Sequence, residues 1–171
     1  MSLVRTLPIH LAPHEGEALD SWLEVLAHRL NTHFADLLIA LDLVDPDDDA
    51  VRMSARWTVR LGDQEQAGLA AATRVPPERI AAMTLSRYHG IAVQIDASTG
   101  LVDRRRLWGR ARSSRFCPDC LAESGGRWRL AWRLGWSFAC PTHRRRYPGR
   151  AARCADPVPR RCRTTNRRTP A

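Results

Sequence analysis

The chain contains no lysine. All 27 of its basic residues are arginine, set against 18 acids in 171 residues for a formal charge of +9. Phenylalanine, tyrosine and methionine are scarce, at three, two and three copies, so any aromatic core must draw on the six tryptophans. Long apolar runs are missing too. The longest greasy stretch, Ala35 to Val44, is broken by Asp36 and Asp42, well short of the ~18 apolar residues of a membrane span. The opening MSLVRTLPIHLAPHEGE has neither an uninterrupted apolar core nor a small-residue cleavage site, so no signal peptide is expected and a cytoplasmic location is. In that compartment the five cysteines stay reduced and favour metal ligation over disulfides. No H-E-x-x-H, P-loop or Ser/His/Asp spacing is present, which points away from an enzyme.

What is present is unevenly distributed. Residues 1–100 hold 8 arginines against 14 acids, residues 101–143 hold 9 against 3, and residues 144–171 hold 10 against Asp156 alone. GC-rich codon usage accounts for arginine in place of lysine but not for this asymmetry. A second half so basic suggests a polyanionic partner, with nucleic acid the first candidate. The size suits one domain or two small ones with a real core.

Periodicity predicts helices in the first hundred residues. Leu19, Trp22, Leu23, Leu26 and Leu30 mark one face of a helix whose first turns carry Glu15, Glu17 and Asp20, as the helix dipole favours. A second helix is expected from a Thr32 N-cap through Phe34, Leu37, Leu38 and Leu41, ending at the acidic loop Asp45–Asp49. Residues 66–87 read as helix, turn, helix: Gln66 to Thr73, an interruption at Val75-Pro76-Pro77, then a second helix from Glu78. Ala70 would sit at the crossing, with Val75, Ile80 and Met83 facing inward. Arg74 holds the turn position that glycine usually takes, where a positive φ costs other residues. An αα-hairpin and a DNA-reading helix-turn-helix fit this pattern equally. Ile91 to Asp96 alternates as a short strand would. A basic connector, 101–116, carries Arg104, Arg105, Arg106 and Trp108.

The strongest signal is Cys117-Pro-Asp-Cys120 with Cys140-Pro-Thr-His143, a C-x2-C-x19-C-x2-H pattern. Each pair is a tight turn aiming two ligands at one point, and two such knuckles supply the four donors of tetrahedral zinc. Four protein ligands leave no open position, so the ion is expected to be structural. Between the knuckles, a short helix over 127–134 ended by Gly135 is predicted, then a strand over 136–139. The tryptophans there are expected to be core, with Arg127, Arg129 and Arg133 outside and able to meet phosphate.

LPIHLAPHEGEALDSWLEVLAHR resembles the opening of the TniQ family, and RFCPDCLAESGGRWRLAWRLGWSFACPTHR resembles that family's zinc segment. The resemblance spans about residues 5–146. It implies a non-catalytic target-selection factor of transposons, of the kind that includes the TnsD type. Such proteins bind attachment-site DNA or link a targeting complex to an AAA+ ATPase. It also implies zinc-ligand roles for Cys117, Cys120, Cys140 and His143.

After His143 the chain departs from the family. RRRYPGRAARCADPVPRRCRTTNRRTPA has almost no aliphatic residues, and its Cys154 and Cys162 form no knuckle. Such a composition is expected to stay disordered. It reads as an out-of-frame or decayed end of a longer gene, the alternative being a basic DNA-binding tail. The expected architecture is therefore a mainly helical region 1–100, the connector, a small zinc-ribbon-like α+β module at 117–146, and the tail 147–171. The expected protein is a zinc-containing, DNA-associated bacterial adaptor at the nucleoid, partnered by duplex DNA and an AAA+ transposition ATPase and by no membrane. Phosphate contacts are expected from Arg104, Arg105, Arg106, Arg127, Arg129 and Arg133, and sequence reading from Arg79, Ser86 and Arg87 on the second helix of the pair. The rival reading is a module that docks a protein partner without reading DNA, favoured by the acidity of residues 1–100.

Overall fold

A computed structural model describes residues 6–45, 56–103 and 114–148. The acidic loop beyond Asp45, Arg104, Arg105, Arg106 and the tail beyond residue 148 lie outside the described residues. The described chain is mostly helical, with one two-stranded antiparallel sheet.

Helix α1, Leu19–Arg29, follows the apolar period: Leu19, Trp22, Leu23 and Leu26 are buried, and Leu30 lies half-buried just past its end. The Trp22 indole N–H donates to the Leu11 carbonyl at 3.0 Å and ties the preceding segment to the helix. Helix α2, Phe34–Ala40, starts from His33 rather than the anticipated Thr32 cap. The Thr32 amide instead returns to the Ala27 carbonyl after Asn31 turns the chain through φ 53°.

Helix α3, Asp63–Thr73, starts three residues earlier than its alanine-rich stretch suggested. Glu65 reaches back to accept the Gly62 N–H at 2.6 Å, satisfying one of the orphan donors of the first turn. The helix closes at Arg74 in the left-handed region, φ 59° and ψ 23°, and Val75 inserts into the core before Pro76. Helix α4, Pro77–Ala82, is only six residues long and begins with proline where no helical N–H is required. Ile80 and Met83 are buried, as the pattern predicted. A 3-10 turn, Leu85–Tyr88, follows. Hence Ser86 and Arg87 are not on the second helix of the pair; only Arg79 is.

Residues 91–96 form no strand. Gly90 at φ 76° turns the chain, leaving isolated bridges between His89 and Val93 and between Ile95 and Val102. Beyond the connector come helix α5, Pro118–Glu123, a 3-10 turn at Leu130–Arg133, and strands β1, Ala139–Cys140, and β2, Arg145–Arg146. The helix expected over 127–134 is therefore one short turn preceded by extended chain. The reason is tertiary. The Ala18 amide donates to the Trp128 carbonyl and the Leu130 amide to the Gly16 carbonyl, both at 2.8 Å, so this backbone is already engaged with the entry to α1. The strand expected from 136 shrinks to Ala139–Cys140, because pairing begins only where β2 lies alongside.

Three apolar clusters result. One joins α1–α4 around Trp22, Leu69 and Ile80. A second puts Leu130 and Leu134 against Ala18, Val59 and Leu85. The third surrounds the cysteines with Phe116, Leu121 and Trp132.

Candidate metal centre

Cys117 caps α5 in an extended conformation and Pro118 opens the helix, so the first turn carries Cys120 back toward Cys117. On the second knuckle, β1 ends at Cys140 and the chain doubles back to β2. The His143 amide donates to the Cys140 sulfur at 3.4 Å, and Arg144 closes the turn at φ 48°. These two turns bring Cys117, Cys120, Cys140 and His143 together with all four ligand atoms within 4.8 Å of one another, a cluster that could hold a metal ion. His143 Nδ1 lies 3.4, 3.3 and 3.5 Å from the sulfurs of Cys117, Cys120 and Cys140, and the last two sulfurs are 3.5 Å apart.

The donors differ in basicity. Burial, reinforced by the neighbouring Cys140 and Cys117 thiols, pushes Cys120 up to about 12. Burial also opposes ionisation of Cys140, but the amide and ring of His143 outweigh it and bring that thiol down to about 6. The Glu123 carboxylate, 3.0 Å from His143 Nε2, raises the imidazole pKa and engages the ring nitrogen turned away from the cysteines. A carboxylate there favours the tautomer whose Nδ1 lone pair is free for a cation. A second acid on the same helix, Asp119, takes Arg145 at 2.8 Å. Thus α5 and the second knuckle are joined by two polar contacts besides the cysteines.

Beneath the cluster lies an aromatic floor. Phe116 meets Trp128 and Trp132 at 5.1 and 6.0 Å between centroids, and the two tryptophans pack edge-on at 5.1 Å. Trp132 is buried and Trp128 half-buried, but Trp136 is 36% exposed and so lies outside the tryptophan core expected here.

The match to family models decides the lineage: the TniQ model aligns with residues 8–146. The chain belongs to the TniQ family. It is thereby a transposition-associated protein. No curated protein matches the sequence significantly. Among the described residues, no helix of this TniQ protein is long and apolar enough to cross a membrane.

Two of the arginines expected to face phosphate turn inward. Arg127 is 9% exposed and its Nη1 donates to both carboxylate oxygens of Glu17, at 3.0 and 2.9 Å. Arg133 is 6% exposed and paired with Asp20. The acids on α1 and its entry turn compensate these charges. Arg129, between them, is exposed. Arg79 is exposed and reaches the Pro13 carbonyl at 3.3 Å, while Arg87 is exposed and lies over the Tyr88 ring. Ser86 is half-buried and shares a hydrogen bond with the Thr84 hydroxyl, so it is a poor reader of bases.

Nothing in the sequence marks Glu17, Ser21 and Asp20 as partners of the second half, or Glu123 as the partner of His143. Glu17 and Asp20 carry the signature of helix-dipole acids, and nothing local distinguishes them. Ser21 offered no signal at all; its hydroxyl accepts the Trp128 amide at 2.8 Å and donates to Glu17 at 3.2 Å.

Proposed function

We propose that this TniQ protein is a non-catalytic, DNA-associated adaptor of transposition that couples target DNA to an AAA+ ATPase. In this reading one structural zinc ion is held by Cys117, Cys120, Cys140 and His143. The observation that carries it is the closed donor set within the family-matched region. Tetrahedral zinc with sulfur at about 2.3 Å and nitrogen at about 2.0 Å has S–S and S–N edges of about 3.8 and 3.5 Å. The three sulfur–nitrogen spacings of 3.3–3.5 Å support that fit, and the 3.5 Å between the Cys120 and Cys140 sulfurs is slightly inside the sulfur–sulfur edge. Three thiols and an imidazole suit zinc, and four protein ligands would exclude a bound water nucleophile.

Zinc would act by folding. It would hold α5 and the β1–β2 turn over the aromatic floor, and that floor continues into the segment locked to Glu17 and Ser21. On the DNA side, Arg79, Arg87 and Arg129 remain surface candidates, with Arg104, Arg105 and Arg106 outside the described residues. Association with the nucleoid follows from such contacts.

A second reading has its own support. The sequence from 1 to 100 is acidic, α4 is short for a base-reading helix, and two expected phosphate contacts are internal. These favour docking of a protein partner without DNA reading. A reconstituted transposition assay with the cognate ATPase tests both. The adaptor reading expects target choice to require the metal-loaded chain and the chain to shift duplex DNA by itself. ATPase binding without any DNA binding would select the docking reading, and failure of both would overturn the adaptor role.

A further inference from the structure

The entry to α1, residues 13–21, is gripped from two sides. On one side stands the end of α4. The Leu19 amide, a first-turn donor that its own helix cannot satisfy, donates to the Met83 carbonyl at 3.0 Å, and Arg79 Nη2 donates to the Pro13 carbonyl at 3.3 Å. On the other side stands the chain that leaves α5. An isolated antiparallel bridge pairs Glu17 with Arg129, Ser21 Oγ accepts the Trp128 amide at 2.8 Å, and Glu17 and Asp20 take Arg127 and Arg133. Ala18 and Leu19 are neighbours in the chain, yet one amide goes to Trp128 and the other to Met83. Both residues are buried, so each bond relies on its protein partner rather than on water.

The second grip is tied to the metal cluster over a short stretch of chain. In the turn after Cys120, Ser124 Oγ accepts the Arg127 amide at 3.1 Å, and the Gly126 amide returns to the Leu121 carbonyl at 2.8 Å. Ahead of Cys117, the Arg115 amide donates to the Trp132 carbonyl at 3.1 Å. Trp132 itself packs in the apolar cluster that holds Cys117, Cys120 and Cys140. So small a cluster depends on its ligands being held together by an ion. When they separate, residues 127–134 lose their support, and their bonds to Gly16, Ala18 and Ser21 go with it.

We propose that residues 13–21 form a conformational relay through which occupancy of the metal cluster fixes α4. Metal loss undocks 127–134, frees the α1 entry and opens the Leu19–Met83 link at the end of α4. Only the loaded chain then holds the α3–α4 pair, with Arg79 on its surface, in a single arrangement. The relay rests on the zinc reading for the identity of the ion and on neither DNA nor the ATPase.

Amide hydrogen exchange by NMR on the full chain, zinc-loaded and after removal of the ion with a chelator, tests it; zinc stoichiometry by native mass spectrometry is read first. The Ala18, Leu19 and Met83 amides should exchange at least about tenfold faster in the stripped chain, the change that ~1.4 kcal/mol of lost local stability produces. The Leu41 amide, bonded to the Leu37 carbonyl at the end of α2, should change far less. Coupling is reciprocal, so S21A, which takes the acceptor from the Trp128 amide, should weaken zinc affinity about fivefold or more with all four ligands intact. S98A, in an exposed turn outside the relay, should leave that affinity unchanged. A chain that takes up no zinc overturns the zinc reading and the relay together. Zinc uptake with unchanged exchange at Leu19 and Met83, or with wild-type affinity in S21A, overturns the relay alone. The relay also fails if Leu41 accelerates as much as Leu19, because the ion would then stabilise the whole chain rather than the end of α4.

Discussion

Replacing Glu17 with alanine should be among the most damaging single changes in the protein. The Glu17 side chain is fully buried and accepts from the His14 amide at 2.9 Å, the Ser21 hydroxyl at 3.2 Å and Arg127 Nη1 at 3.0 and 2.9 Å. Removing it strands a guanidinium whose side chain is only 10% exposed. Breaking a buried pair from one side costs ~3–5 kcal/mol, against ~5–15 kcal/mol for the whole stability of a typical domain. The free energy belongs to the penalty of the uncompensated arginine more than to the attraction itself. The double variant E17M/R127M, which removes both charges at similar volume, should therefore recover at least half of the loss. Urea unfolding of the metal-loaded protein, followed by tryptophan fluorescence, measures each corner of that cycle. A loss below ~1 kcal/mol for E17A, the scale of an exposed pair, would refute the buried linkage between α1 and the segment entering the 3-10 turn.

Substituting Cys120 with serine should reduce bound zinc from one ion per chain to near none by native mass spectrometry, and should loosen the tryptophan floor with a red shift in emission. Zinc release on acidification should rise steeply, because three thiols and an imidazole must lose protons to bind, so affinity falls as pH falls; a colorimetric chelator at two pH values follows it. Replacing Arg74 with glycine removes the left-handed strain at the end of α3 and should stabilise by ~0.5–1 kcal/mol, after the unfolded-state entropy of glycine is deducted, as a rise in Tm. Ile80→Ala should cost ~2–5 kcal/mol, since its side chain is completely enclosed between α4 and the main core. The Ser98 hydroxyl and the Thr99 and Ser98 amides hold the Asp96 carboxyl down to about 2, so its contribution to the turn persists above the ordinary carboxylate range and fades as pH falls toward that value; an NMR titration of the side chain checks it.

Local chemistry was enough to determine the helical faces and the metal cluster. Leu19, Trp22, Leu23 and Leu26 share a face because 3.6 residues make a turn, and no tertiary context is needed to see it. Ile80 and Met83, three residues apart, point inward for the same reason. Cys117, Cys120, Cys140 and His143 converge because an x2 spacing bends each pair toward one point, so the spacing alone selects them. Where sequence reading went astray, a distant partner had taken over. Residues 127–134 have the period of a helix, yet their amides and carbonyls bond to Gly16, Ala18 and Ser21, more than a hundred residues away in the chain. Arg127 and Arg133 looked like surface cations, since charge is normally solvated. Only the docking of that segment against α1 supplied the carboxylates of Glu17 and Asp20 that make their burial tolerable. A periodic pattern states which face of an element is apolar, but ion pairing and edge pairing depend on which elements meet, and that is a property of the assembled fold.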